Sequence, residues 1–215
     1  MKNTTIWRTG LYTFGLLILA LGIILNTKSQ LGVSPIISVP YSFSAVFGLN
    51  FGNASLVMYC ILAAIEYLLE WERFKLYDLL QIPLSIVFTR FFNLFGALLP
   101  EATNVPEKAA CLIAGIILTG IGAAMSMNAR LVPNPGDGIV QAISDRVKKP
   151  TGFCKNCLDV GCVCTTLLVG FLFAGHPVGV GIGTIAAMIG VGRVIALYNH
   201  LFLEKTKLQM GIMEG

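Results

Sequence analysis

Two arginines and two helix-breaking loops are the residues of this chain best suited to handling a solute. Arg90 and Arg193 each fall in the middle of a long apolar run. A charge there costs about 2.5–3.5 kcal/mol on insertion scales, so each needs a partner or water. As a pair at a helix interface they would bind an anionic group. As structural residues they would snorkel or pair locally. The first loop, Asn134-Pro135-Gly136-Asp137-Gly138, lies between an apolar run and an amphipathic one, and Leu31-Gly32-Val33-Ser34-Pro35 echoes it earlier in the chain. Asp137 fits a helix N-cap, where it satisfies free N–H groups and matches the dipole. It also fits a polar cavity shared with Asn134 and Gln141, with Ser34 and Ser38 as counterparts. At that position Asp137 favours a cation or a proton.

Other reactive side chains form no complete set. Glu66 and Asp159 sit in or beside apolar runs and suit either proton relay or an interfacial position. Cys154, Cys157, Cys162 and Cys164 include one CxxC pair, but they continue into an apolar helix and no second pair or neighbouring histidine completes a tetrahedral ligand set. His176 and His200 fall near opposite ends of the expected topology. There is no Ser-His-Asp arrangement, Walker loop or HExxH motif, and Gly179-Val180-Gly181-Ile182-Gly183 follows no strand. It reads as close helix packing. No enzyme activity, cofactor or metal is expected.

The elements that must position these residues are membrane helices. Of 215 residues, 55% are hydrophobic and only 12% charged, with a mean hydropathy of +0.78. Globular domains run nearer a quarter charged, so a lipid bilayer is the expected surroundings. The net charge of +4 is modest and argues against a nucleic-acid partner. The fold class expected is all-α: one polytopic membrane domain, residues 1–215, with six spans. These fall near 6–27, 54–69, 76–99, 109–128, 156–174 and 180–203, followed by a polar tail from 204. Segments near 36–47 and 139–147 are too short to cross, and each is either re-entrant or interfacial. On the first, Ser38, Tyr41, Ser42 and Ala45 share one face. Val39, Phe43, Val46 and Phe47 share the other.

The order of elements occurs twice, near 6–100 and 106–203. Leu31 and Pro35 fall on Leu131 and Pro135, and Gly22 on Gly122. Further along the offset is expected to grow by three, setting Asn53 on Asn156 and Arg90 on Arg193. With the N-terminus inside, Lys2, Arg8, Arg73, Lys75, Arg130, Arg146, Lys148, Lys149, Lys155, Lys205 and Lys207 share the cytoplasmic side. Lys28 and Lys108 lie outside. That is a positive-inside pattern with both termini cytoplasmic. Three spans per half would make the second half an inverted copy, a plan common among secondary transporters.

Pro135-Gly136-Asp137-Gly138 opening a helix, with Gly179-Val180-Gly181-Ile182-Gly183-Thr184 opening the last span, resembles the YczE/YitT-like group of bacterial integral membrane proteins. The resemblance covers about residues 10–203 and implies a multi-span protein of the bacterial inner membrane. Arg193, where that group usually carries an apolar residue, and the cysteine cluster depart from its pattern. The leading expectation is a homodimeric carrier that moves a small solute, anionic if the arginines bind it, by alternating access of its halves. The competing expectation is a membrane scaffold or regulatory partner using small-residue stripes such as Gly115, Gly120 and Gly122.

Overall fold

The computed structural model describes residues 2–71 and 76–209. Residues 72–75, which include the expected cytoplasmic Arg73 and Lys75, and the last residues of the tail lie outside that set. Eight helices follow in order: α1 (Lys2–Lys28), α2 (Pro35–Phe47), α3 (Phe51–Leu69), α4 (Gln81–Leu98), α5 (Val105–Asn128), α6 (Pro135–Val147), α7 (Thr151–Val169) and α8 (Ile182–Gln209). A 3-10 turn, Leu76–Leu80, leads into α4, and a π-helical turn, Gly170–Ala174, extends α7. The protein is all-helical, and six helices are long and apolar enough to cross a membrane.

Several helices begin earlier than the apolar pattern suggests. α6 starts at Pro135 rather than 139, because proline suits the first helical position and the Asn134 side chain accepts the Gly136 N–H at 3.0 Å. α7 starts at Thr151, directly after Pro150. The tail does not end α8 at 203; the helix runs on to Gln209.

α1 and α5 form the spine, antiparallel and close. Gly22 lies on the backbone of Thr119, and Gly122 lies on the backbone of Leu19. A Cβ on Gly15 would be 2.9 Å from the Ser126 nitrogen, and one on Gly115 would be 2.8 Å from the Asn26 nitrogen. The second member of each pair of contacts is the first with one hundred added to a residue of one helix and removed from the other. Small residues let membrane helices approach this closely where lipid offers no hydrophobic drive.

The same spacing governs the rest. Pro35–Phe47 matches Pro135–Val147, and Phe51–Leu69 matches Thr151–Val169. Gly48 and Lys148 both end their helices in the left-handed region. Ser44 donates to the Leu49 carbonyl at 2.6 Å, as Ser144 does to the Lys149 carbonyl at 2.7 Å. As far as α7 the offset therefore stays at one hundred. Asn53 corresponds to Phe153, not Asn156.

The halves interlock: α2 packs on α7, and α6 packs on α3. α1 also packs on α4, and α5 on α8. Both short helices begin buried, with Ile37 and Ser38 in α2 and Ile139 and Val140 in α6. Each then runs out to the surface, where Phe47 and Val147 are exposed. Both helix starts therefore lie inside the bundle. α2 turns Ser38 and Ser42 inward and Phe43 and Phe47 outward, an inside-out pattern that suits lipid.

The glycines at 179–183 do not pack helix on helix. They run backbone to backbone beside the first breaker, with Val33 donating to the Gly179 carbonyl at 3.0 Å and Gly183 to the Leu31 carbonyl at 2.7 Å. On one face of the bundle Arg8 donates to the carbonyls of Ala129 and Arg130, at 3.0 and 2.6 Å. Asn128 donates to Asn199 there. On the opposite face Lys28 pairs with Glu101 at 3.3 Å.

Candidate functional site

The two breakers dip from opposite faces and the helices they start meet inside the bundle. A cavity of about 140 Å³ lies at that meeting point. Ser34 and Pro35 border it from α2, and Asn134, Gly136 and Asp137 border it from α6. Leu19, Ile23, Ile37, Val191 and Ile195 supply an apolar wall. Asn134 and Asp137 also line a second hollow, of about 330 Å³, beside Ser126, Met127 and Leu131 on the Arg8 face. These two side chains stand between the inner cavity and that face.

Asp137 is exposed and lines both hollows, with protein packed around its carboxyl. This enclosure raises its carboxyl above the usual range, and the Lys155 ammonium pulls part of the way back. Tyr59, buried on α3, turns its hydroxyl to the Asn134 side chain. Asp159 on α7 is 1% exposed and takes both bonds from Lys155, at 3.1 and 3.3 Å. Thr119 borders the cavity with a buried hydroxyl that has no hydrogen-bond partner among the described residues. The site thus offers carboxylates, one ammonium, an amide and hydroxyls against an aliphatic wall.

The second hollow is bordered by acidic groups. Among the described residues Glu66, Glu70, Asp78 and Asp137 line it, together with Asn134 and Gln141, and none of those lining it is basic. Glu66 is 5% exposed and hydrogen-bonds Gln81, while its Oε2 has no partner among the described residues. Its carboxylate rests against the Cα of Gly138, where any side chain would collide with it. One hundred residues on, the corresponding contact is neutral: Ser38 and Thr166 share a hydrogen bond of 2.7 Å.

Of the residues expected to act, Ser34, Asn134 and Asp137 come together at the cavity. Gln141 lies in the acidic hollow and donates to Asp145 at 3.0 Å. Ser38 is fully buried and also bonds the Pro35 carbonyl, a link between helices rather than a cavity group. Arg90 and Arg193 are exposed on α4 and α8 and line neither hollow. They do not form a pair of cations at the interface of the halves. Long guanidinium stems on outward faces can reach the headgroup layer. Cys154 and Cys162 are buried, and Cys157 and Cys164 are exposed. Among the described residues no three His, Cys, Asp or Glu side chains are placed to hold a metal ion.

Tyr59, Thr119 and Lys155 are the site residues that sequence reasoning missed. Lys155 was legible through its i, i+4 spacing to Asp159, which joins the two on one helix face. A tyrosine and a threonine within apolar runs give no such signal.

Over residues 6–200 the chain matches a family described as "Family of unknown function (DUF6198)". It is 28% identical to the "Uncharacterized membrane protein YczE" of Bacillus subtilis (strain 168), over 91% of this chain and 86% of that protein. It is 26% identical to an "Uncharacterized protein" of Haemophilus influenzae, over 92% of this chain and 88% of that protein. It is 25% identical to the "Uncharacterized protein YyaS" of Bacillus subtilis, over 91% and 96%. No solved structure matches the chain.

Proposed function

The chain belongs to the DUF6198 family of unknown function, and we propose that it is a secondary transporter of a small solute. In this reading the two halves are inverted copies that rock about the α1–α5 seam, exposing the cavity to each face in turn. The observation that carries it is the meeting of two short helix starts at a polar cavity, with Asn134 and Asp137 shared between that cavity and a hollow on one face. Ionisable residues within a membrane bundle are rare and mark solute and proton paths.

The basic residues Arg8, Arg130, Arg146, Lys148 and Lys149 support a cytoplasmic location for the Arg8 face, in a bacterial inner membrane. Lys155 drops out of that count because it pairs with Asp159. The cavity is smaller than the roughly 300–1,000 Å³ of drug-sized sites. Its carboxylates outnumber its one ammonium, and the arginines that motivated an anion lie elsewhere. The favoured cargo is therefore a small neutral or cationic molecule with a hydrogen-bonding head and a short apolar body.

A thermal-shift screen of small amines, amides, alcohols and acids on detergent-purified protein tests this, followed by uptake of the hits in proteoliposomes. The expected result is a hit among the neutral or cationic compounds that is lost in Asn134→Ala and is taken up by vesicles. No hit, together with a stoichiometric protein partner on purification, would replace the carrier with a scaffold.

A further inference from the structure

Resting on the carrier reading, we infer that Glu66 is its proton-binding site, loaded and unloaded through the acidic hollow on the Arg8 face. Four observations place a proton there. Glu66 is buried at the edge of the second hollow, and its Oε2 lacks a partner among the described residues. A buried carboxylate with an unsatisfied oxygen is costly, and one proton on that oxygen removes the charge. Gln81, which bonds Glu66, has its own buried Oε1 without a partner, so the pair is short of donors rather than acceptors. Finally, the corresponding position in the other half, Thr166 on Ser38, is neutral and fully bonded. The charge is a departure from the repeat, not a demand of the fold.

The described titratable groups that border the same hollow are acidic. The turn before α4 contributes Asp78, α6 contributes Asp137, and α3 itself adds Glu70. α2 brings no ionised group. Arg146 and Lys148 face a separate hollow on the outer side of Glu70. A metal ion fits poorly, since hard cations take about six oxygens and among the described residues no three acidic side chains converge to hold one. A proton needs one oxygen. It comes from water in the hollow, forms the O–H bond on Oε2 and leaves by the same way, with no other bond changed. Gly138 fixes the geometry, because only a residue without a side chain lets the carboxylate reach the first turn of α6.

Infrared difference spectroscopy on the full-length protein in lipid nanodiscs tests this, with titration between about pH 5 and about pH 9. The expected result is a carboxylic-acid C=O band that titrates, disappears in Glu66→Gln and survives in Asp137→Asn. Should Glu66→Gln not fold, Gly138→Ala, which pushes the carboxylate off α6, is expected to move the band. No titrating band, or a band indifferent to both changes, overturns the site. The measurement needs no solute: a proton site without any transported solute sinks the carrier alone, and transport without the Glu66 band sinks the proton site alone.

Discussion

Gly136 of α6 lies against Ile36 of α2, such that a Cβ added to Gly136 would sit 3.5 Å from Ile36 Cδ1. The two short helices therefore meet start to start. Each start carries the positive end of a helix dipole, equivalent to roughly half a charge. Two such ends facing each other favour the carboxylates beside the cavity, Asp137 and Asp159.

The close spine predicts a sharp contrast among glycines. Gly22→Ala and Gly122→Ala drive a methyl into the partner helix's backbone and should cost about 1–3 kcal/mol, near the upper end because backbone cannot move aside. Gly161→Ala meets nothing within 4 Å and should leave stability unchanged or improve it by about 1 kcal/mol. Melting temperatures in one detergent compare them directly.

The hydrogen bond between Ser38 and Thr166 ties α2 to α7 across the halves. Ser38→Ala and Thr166→Val should each destabilise by about 1 kcal/mol. Their coupling in a double-mutant cycle should be close to the roughly 0.6 kcal/mol average for buried bonds in membrane bundles. Strict additivity would mean that the bond does not form.

Glu101 on the opposite face gives a pH signature. A hydrogen bond from Gln30, with a smaller pull from Lys28, holds its carboxyl below the usual range. A carboxyl depressed by folding adds stability that is fully present above its unfolded value and is lost as pH falls through the folded one. Gln30→Asn keeps a residue tolerant of the left-handed φ of 56° but shortens the donor. It should melt slightly below wild type at neutral pH and low salt, with the gap closing under acid. The effect is small because the pair is exposed.

Much of the architecture could be read from the chain, for reasons visible at particular residues. Six long apolar runs and two Pro-containing breakers specify six spans and two short helices, and the duplicated order is plain at Leu31/Leu131 and Pro35/Pro135. The spacing just beyond that was misread because matching Asn53 to Asn156 trusted side-chain identity. The structure is instead repeated in caps and turns, such as Ser44 with Leu49 and Ser144 with Lys149. At the site, charge within an apolar run pointed to Arg90 and Arg193, yet a span only partly covered by its neighbours leaves mid-span positions facing outward. Lys155 resembled a topology marker because which face of α7 turns inward depends on contacts with α2 and α6, far away in sequence.

The carrier reading separates two charged residues that the sequence alone ranked together. Asp137→Asn should lower uptake of an identified solute at least about tenfold, equivalent to roughly 1.4 kcal/mol in the transport step. Arg193→Ala should keep most of it, since that side chain lies outside the cavity. Equal loss from both would return the arginine to the path.

Access to Asn134 from each side of the membrane tests the central claim most directly. In a cysteine-free background, Asn134→Cys in sealed vesicles of known orientation is treated with a membrane-impermeant maleimide, added outside or enclosed within. Alternating exposure of the cavity where α2 and α6 begin predicts labelling from both sides, slowed by a bound solute. Labelling from one side alone, unaffected by any solute, would contradict it.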